Sequence, residues 1–196
     1  MSTSTVAETP VPAGMTEEAL YEVVNGERVE LPPMSIFSTL VANQLFFHLA
    51  AYLREHQLGR AVIEALLILD REASLRRRPD VAFVSAERWS LDREIPETGD
   101  WDVIPTIAVE VISPNETSRE VMEKMLEYFR VGVDEVWHVH PEARTVYRYE
   151  SPLEVKIFGP DDRLVSTRLP GFSCPLVDLF RRTAGGSQAD SATATK

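Results

Sequence analysis

The stretch Thr106-Ile107-Ala108-Val109-Glu110-Val111-Ile112 decides the fold, because it is apolar almost throughout. Short runs rich in valine and isoleucine are typical of strands at the centre of a sheet, covered on both faces. Glu110 is the exception within this run. Burying a lone carboxylate is costly, so its side chain should be paired, protonated or bound to a cation. We therefore expect a central strand with one carboxylate that needs a partner.

Strands and helices alternate along the chain on both sides of this run. Asn25-Gly26, between two apolar-polar runs, predicts a hairpin over 21–31. Helical spacing of apolar residues predicts helices at 38–55 and 118–130. The apolar face predicted for the second helix consists of Val121, Met122, Met125, Leu126 and Phe129. Further strands are predicted at 61–69, 80–84, 135–139 and 145–149, with two short ones within 153–169.

These elements predict a single α/β domain. We expect a mixed, curved sheet that carries Asp80 and Glu110 on adjacent strands, with the 40–55 and 118–130 helices packed against it.

The two ends of the chain differ from the middle in composition. Residues 1–14 and 183–196 are rich in small and polar residues, which predicts disordered segments around a domain at 15–182. Residues 16–18 read as a helix start. The charged connection 85–105 is long enough to hold a short helix or a functional loop.

The charge balance limits the possible functions. The chain carries 20 basic and 31 acidic residues, for a net charge of −11. Proteins that only bind duplex nucleic acid usually carry a basic surface, because neutralising phosphates supplies most of their affinity. The acidic balance therefore counts against a pure DNA-binding module. It counts less against a metal enzyme, since a bound cation can meet the phosphate.

A single cysteine, Cys174, cannot form an internal disulfide or a thiolate cluster. The polar N-terminus lacks the apolar region of a signal peptide, and the apolar stretches look too short to span a bilayer. We therefore expect a cytoplasmic protein with no membrane partner.

Asp80 and Glu110 are the first candidates for chemistry. Hard divalent cations such as magnesium take carboxylate and carbonyl oxygens, which neighbouring strands can present together. The alternative is that Glu110 faces a polar layer or pairs with an arginine such as Arg78. The basic run 76–78, directly before Pro79, could grip a phosphate or form a solvated turn.

Several short motifs together resemble one family. In order and spacing the chain resembles the Uma-type family of putative restriction endonucleases, within the PD-(D/E)xK nuclease superfamily. The resemblance covers roughly residues 15–180. The motifs that carry it are Tyr21-Glu22-Val23-Val24-Asn25-Gly26-Glu27, Arg78-Pro79-Asp80-Val81, Val109-Glu110-Val111-Ile112-Ser113-Pro114, Glu120 with Lys124 and Tyr128, and Gly132-Val133-Asp134-Glu135-Val136-Trp137.

The resemblance implies a restriction-endonuclease-like core and a mechanism. Asp80, Glu110 and the carbonyl of Val111 would hold Mg²⁺ or Mn²⁺, which activates water and stabilises charge on the phosphate. Lys124 would orient the attacking water or neutralise developing charge, and Glu22 would lie at the edge of the site. The expected substrate is nucleic acid, with DNA first. Arg77, Arg78 and Tyr128 are the expected substrate contacts.

One departure from the superfamily pattern leaves alternatives open. Ile112 occupies the usual lysine position, so Lys124 on the following helix would inherit that role. Residue spacing alone also allows an exposed Glu120–Lys124 pair worth only tenths of a kcal/mol. The rival hypotheses are an inactive nuclease fold that binds nucleic acid or protein, and a structural homo-oligomer. We expect an oligomer in either case, with a dimer as the first expectation.

Overall fold

The computed structural model describes residues 19–97 and 99–182. The predicted disordered ends and the helix start at 16–18 lie outside the described residues. In the described part the elements are β1 (Tyr21–Val24), β2 (Glu27–Glu30), α1 (Ile36–His56), β3 (Gly59–Ile63), β4 (Leu67–Asp70), β5 (Leu75–Arg77), β6 (Val81–Ser85), β7 (Ile107–Val111), α2 (Ser118–Arg130), β8 (Glu135–His140), β9 (Thr145–Ser151), β10 (Glu154–Phe158), β11 (Arg163–Leu164), β12 (Cys174–Pro175) and α3 (Leu176–Leu179).

The main sheet has the strand order β10-β9-β8-β7-β6-β3 within the described ranges. The β7–β8 pair is parallel and the other pairs are antiparallel, so the sheet is mixed, as predicted. All five residues of β7 are buried. A second sheet, β2-β1-β5-β4, lies beside the first, and β11 pairs with β12.

The two faces of the main sheet are covered by different helices. Val109 and Val111 belong to a core that includes Leu45 and Leu49 of α1. Ala108, whose side chain points to the opposite face of the sheet, belongs to a second core with residues of α2. Because side chains alternate along a strand, Glu110 lies on the same face as Ala108 and points towards α2.

Helix α1 begins two residues before the predicted helix, at Ile36, and is stabilised at its start by Ser35. The Ser35 hydroxyl accepts a hydrogen bond from the Ser38 N–H at 3.0 Å. By length and composition α1 could cross a membrane, so the expectation that every apolar stretch is too short is wrong. Core helices meet the same criterion, and Val41, Leu45 and Leu49 are fully buried. The cytoplasmic location stays a prediction.

Residues 61–69 form two strands rather than the single predicted one. The chain turns at Glu64, whose φ is +47°, in the left-handed region. β3 then pairs with β6 in the main sheet, while β4 pairs with β5 in the second sheet. Glu64 is the single charged residue in the otherwise apolar run 61–69, and one such break did not reveal the change of sheet.

Helix α2 has the predicted bounds, and a capping box explains its start. The Thr117 hydroxyl accepts from the Glu120 N–H, and the Glu120 carboxylate accepts from the Thr117 N–H. The predicted apolar face is partly wrong, since Met122 and Leu126 are 47% and 46% exposed. The helix instead turns Met125 and Tyr128, both fully buried, towards the sheet.

The connection 85–105 contains no helix in its described residues. It is anchored by Trp89 and Trp101, whose buried rings meet edge to face at 5.3 Å. The Trp101 backbone N–H donates to the Leu66 carbonyl, and its own carbonyl accepts from the Ile68 N–H, both at 2.9 Å. The tryptophans are therefore core anchors that tie this connection to the second sheet.

Candidate active site

Asp80 and Glu110 lie beside each other at the ends of neighbouring strands. In the antiparallel β6–β7 pair Val81 is opposite Val109, so the next pair places Asp80 opposite Glu110. Asp80 Oδ2 accepts a hydrogen bond from the Val111 N–H at 2.6 Å. The predicted placement on adjacent strands is confirmed.

Lys124 points into this centre from α2. Its Nζ donates to Glu110 Oε2 at 2.9 Å and lies 3.0 Å from Glu22 Oε1. One turn later, the Tyr128 hydroxyl donates to Glu110 Oε1 at 2.6 Å. Both Glu110 oxygens are thus engaged, by Lys124 and Tyr128, and Arg78 is not their partner. The alternative of an exposed Glu120–Lys124 pair is wrong, because Glu120 caps the helix.

Glu22 enters the site from β1 and is almost fully buried, with 2% of its surface exposed. Besides Lys124, its carboxylate accepts from the Arg78 N–H at 2.9 Å and from Arg77 Nη1 at 2.6 Å. Arg77 in turn donates from Nε to Glu127 Oε2 at 2.9 Å. The hairpin, β5 and α2 are therefore joined by one charged network.

Burial and charge crowding shift the pKa values of these groups. Burial raises the pKa of Glu110 to about 8; Lys124 opposes this rise, while Asp80 and Glu22 add to it. Burial likewise raises the pKa of Asp80 to about 6, against the Val111 N–H and Lys124. Burial alone would raise the pKa of Glu22, but Lys124 and Arg77 hold it below its ordinary value.

The pKa of Lys124 is raised, because Glu110 and Glu22 outweigh the burial of its ammonium group. The ammonium therefore stays protonated near neutral pH. It can donate hydrogen bonds and neutralise charge, but it cannot take a proton from water.

The three predicted substrate contacts, Arg77, Arg78 and Tyr128, are engaged within the protein. Arg77 gives its guanidinium to two carboxylates, with 12% of its side chain exposed. Arg78 donates to the carbonyls of Tyr21 and Glu64. Tyr128 is fully buried beneath Glu110. Tyr128 is thus covered by the protein, and both arginines have internal partners, so that neither forms a solvated turn. Substrate contact by these three residues stays a prediction.

Positioning roles for Arg77, Glu127 and Tyr128 were not predicted. Tyr128 lies four residues after Lys124, which was a usable signal for a shared helix face. Glu127 offered no such signal, because its partner Arg77 is 50 residues away in sequence.

His138 lies next to Glu110 in the parallel β7–β8 register and is buried. Burial lowers its pKa to about 4, with smaller contributions from His140 and Lys124, so its imidazole is neutral. Within 19–97 and 99–182, no group of three or more His, Cys, Asp or Glu side chains is placed to hold a metal ion by protein ligands alone.

The donor set at Asp80 and Glu110 still fits a hard divalent cation. Magnesium is commonly held by one or two carboxylates and keeps several water molecules, so it does not need an all-protein cage. Burial is the main reason that the pKa values of both carboxyls are raised, because it disfavours their ionised forms. A cation bound between them would stabilise the ionised carboxylates.

Comparison with known proteins places the chain in a family. Residues 10–177 match the family model Uma2, described as "Putative restriction endonuclease". Among solved structures the fold is similar to a "putative nuclease belonging to DUF820" from Anabaena variabilis ATCC 29413. The two chains are 20% identical, with 82% of this chain and 89% of that one covered, at a TM-score of 0.68. No curated protein matches. With the matched residues spanning most of its length, the chain belongs to the Uma2 family.

Proposed function

We propose that this protein is a metal-dependent endonuclease that hydrolyses phosphodiester bonds in nucleic acid, with DNA as its first expected substrate. The observation that carries the proposal is the convergence of Glu22, Asp80, Glu110 and Lys124 from four different elements. A buried ammonium between two glutamates, beside an aspartate with a raised pKa, is an expensive arrangement for a fold to maintain.

Asp80 and Glu110, together with the carbonyl of Val111, would hold Mg²⁺ or Mn²⁺. Such an ion, when bound, lowers the pKa of a coordinated water and stabilises charge on a phosphate. The fit rests on two carboxyl groups side by side at the ends of neighbouring strands, whose ionised forms are disfavoured by burial and would be stabilised by a cation.

Lys124 supplies a fixed positive charge to the same centre. Because its ammonium stays protonated, its role is to donate a hydrogen bond to the attacking water or to a phosphate oxygen. Glu22 and Glu110 both contact the ammonium, and the Tyr128 hydroxyl fixes the Glu110 carboxylate by donating to its second oxygen. Glu22 and Tyr128 are thus positioning residues.

The net negative charge of the chain is consistent with these roles of the metal ion and Lys124. Arg77 and Arg78 are occupied inside the protein, so the phosphate would be met by the metal ion and by Lys124. Affinity for nucleic acid should then depend strongly on the divalent cation, unlike that of a protein with a basic binding face.

A cleavage assay tests the proposal. Purified wild type, Asp80→Ala and Lys124→Met are incubated with single-stranded and duplex DNA and RNA, with Mg²⁺, Mn²⁺ or EDTA. Wild type should cleave only with a cation, and each variant should lose about 100-fold or more in rate, as on removal of one preorganised transition-state contact. Glu123→Gln, an exposed change on the same helix, should leave the rate unchanged.

The circular dichroism spectrum of each variant must match that of wild type for the comparison to count. Cleavage by Asp80→Ala at the wild-type rate would overturn the site assignment. Metal-dependent binding without cleavage would favour the inactive, nucleic-acid-binding alternative.

A further inference from the structure

Strand β10 forms an open edge of the main sheet. It pairs with β9 on one side, and no other described strand pairs with its second side. Its first four residues are exposed, including Val155 at 45% and Ile157 at 53%. Leu153, in the turn before it, is 98% exposed. An edge of this kind presents unpaired backbone groups that can pair with another strand.

The side chains of β10 are sorted between the two faces of the sheet. Val155 and Ile157 lie opposite Tyr149 and Tyr147 of β9 and so share one face. Lys156 lies on the other face, where its Nζ is 5.1 Å from the centre of the Phe158 ring. The β9–β10 register shifts between Glu154 and Val155, but the extra residue, Glu150, lies in β9. Alternation along β10 therefore places Glu154 on the same face as Lys156.

We propose that two copies of this chain pair antiparallel through β10, which joins their main sheets into one. The two-fold axis passes at Val155, so that each residue lies opposite the partner residue that is equally far from Val155 in the other direction. Glu154 then lies opposite the partner's Lys156, and Lys156 lies opposite the partner's Glu154. On the other face Val155 meets the partner's Val155.

Charge complementarity selects a second copy as the occupant of this edge. Neither Glu154 nor Lys156 has an ion-pair partner in the described part of the chain, so both remain available for the interface. In the proposed register every charge meets its opposite and every apolar residue meets an apolar one, which a shift by one residue would destroy. β10 has no proline to block pairing.

The pairing has a geometric consequence for the candidate active site. Residues opposite each other in an antiparallel pair point to the same face, so the α2 faces of both copies lie on one side of the joined sheet. Both carboxylate centres would therefore face the same side. The interface itself does not depend on nuclease activity.

Sedimentation velocity of the full chain over a range of concentrations tests the proposal. Wild type should form a dimer, and Glu154→Lys and Lys156→Glu should each weaken it about tenfold, because each places like charges opposite each other twice. The double variant Glu154→Lys with Lys156→Glu restores opposite charges and should regain wild-type affinity. Glu142→Lys, an exposed change away from this edge, is the matched control.

Each outcome decides the matter. A wild type that is monomeric at all concentrations overturns the proposal. A dimer that neither single charge change weakens must use another surface, which also overturns it. Recovery in the double variant cannot arise from misfolding of the single variants, so it supports pairing in this register.

Discussion

Replacing Glu110 with glutamine keeps the shape of the side chain and removes its negative charge. In the metal-free protein we expect Glu110→Gln to be more stable than wild type at neutral and alkaline pH. The reason is that Glu110 is 8% exposed and faces Asp80 and Glu22, so that its ionised form is held in an unfavourable place. If the Glu110–Lys124 ion pair instead outweighed this cost, the glutamine variant would be less stable than wild type.

The expected change in the free energy of unfolding follows from the pKa of Glu110, which rises from 4.5 in its ordinary environment to about 8. A raised carboxyl pKa contributes stability that is fully present below pH 4.5 and is lost as the pH rises through about 8. At 1.36 kcal/mol per pKa unit, the loss is about 3 kcal/mol at pH 7 and about 5 kcal/mol at pH 9. Glutamine avoids this loss but is a poorer acceptor for Lys124, which costs about 1 kcal/mol.

We therefore expect the glutamine variant to gain about 2–4 kcal/mol between pH 7 and 9 and almost nothing at pH 4.5. Urea unfolding in EDTA at several pH values measures the difference. Glu123→Gln, at an exposed site on the same helix, should change the free energy of unfolding by less than about 0.5 kcal/mol. A Glu110→Gln variant less stable than wild type at pH 9 would refute the reasoning. Adding Mg²⁺ at a hundred times its Kd should stabilise wild type by about 2.7 kcal/mol and leave the variant unchanged.

Three further substitutions test individual contacts, each by the same unfolding measurement. Tyr128→Phe removes the donor that lies 2.6 Å from Glu110 and should cost about 1–3 kcal/mol; an unchanged stability would mean that this hydrogen bond is not formed. Thr117→Ala removes the cap of α2 and should cost about 1 kcal/mol, whereas Thr117→Ser should restore most of it. Leu45→Ala opens a cavity in the core and should cost about 2–5 kcal/mol. Phe47→Ala, at a position 64% exposed, should cost much less, and equal losses would contradict the burial pattern.

The bounds of a helix could be predicted from the sequence more fully than the division of the strands between two sheets. The bounds of α2 were predicted from the helical spacing of its apolar residues, which is a local signal carried within the 13 residues of the helix. The split of 61–69 was not predicted, because β3 and β4 are equally apolar and differ only in the sheet that they join.

The sequence by itself determined that Glu110 needs a partner, since a carboxylate in an apolar strand cannot stay alone in a core. It also indicated Asp80 as a neighbour and, through the family resemblance, Lys124. Only the tertiary structure decided how these groups meet. Glu22 lies far along the chain from Glu110 and Lys124, and the contacts of Lys124 with both glutamates, at 2.9–3.0 Å, depend on the rotation of α2 against the sheet. That rotation leaves Met122 47% exposed and buries Tyr128, whose hydroxyl donates to Glu110, because a buried carboxyl needs hydrogen-bond partners.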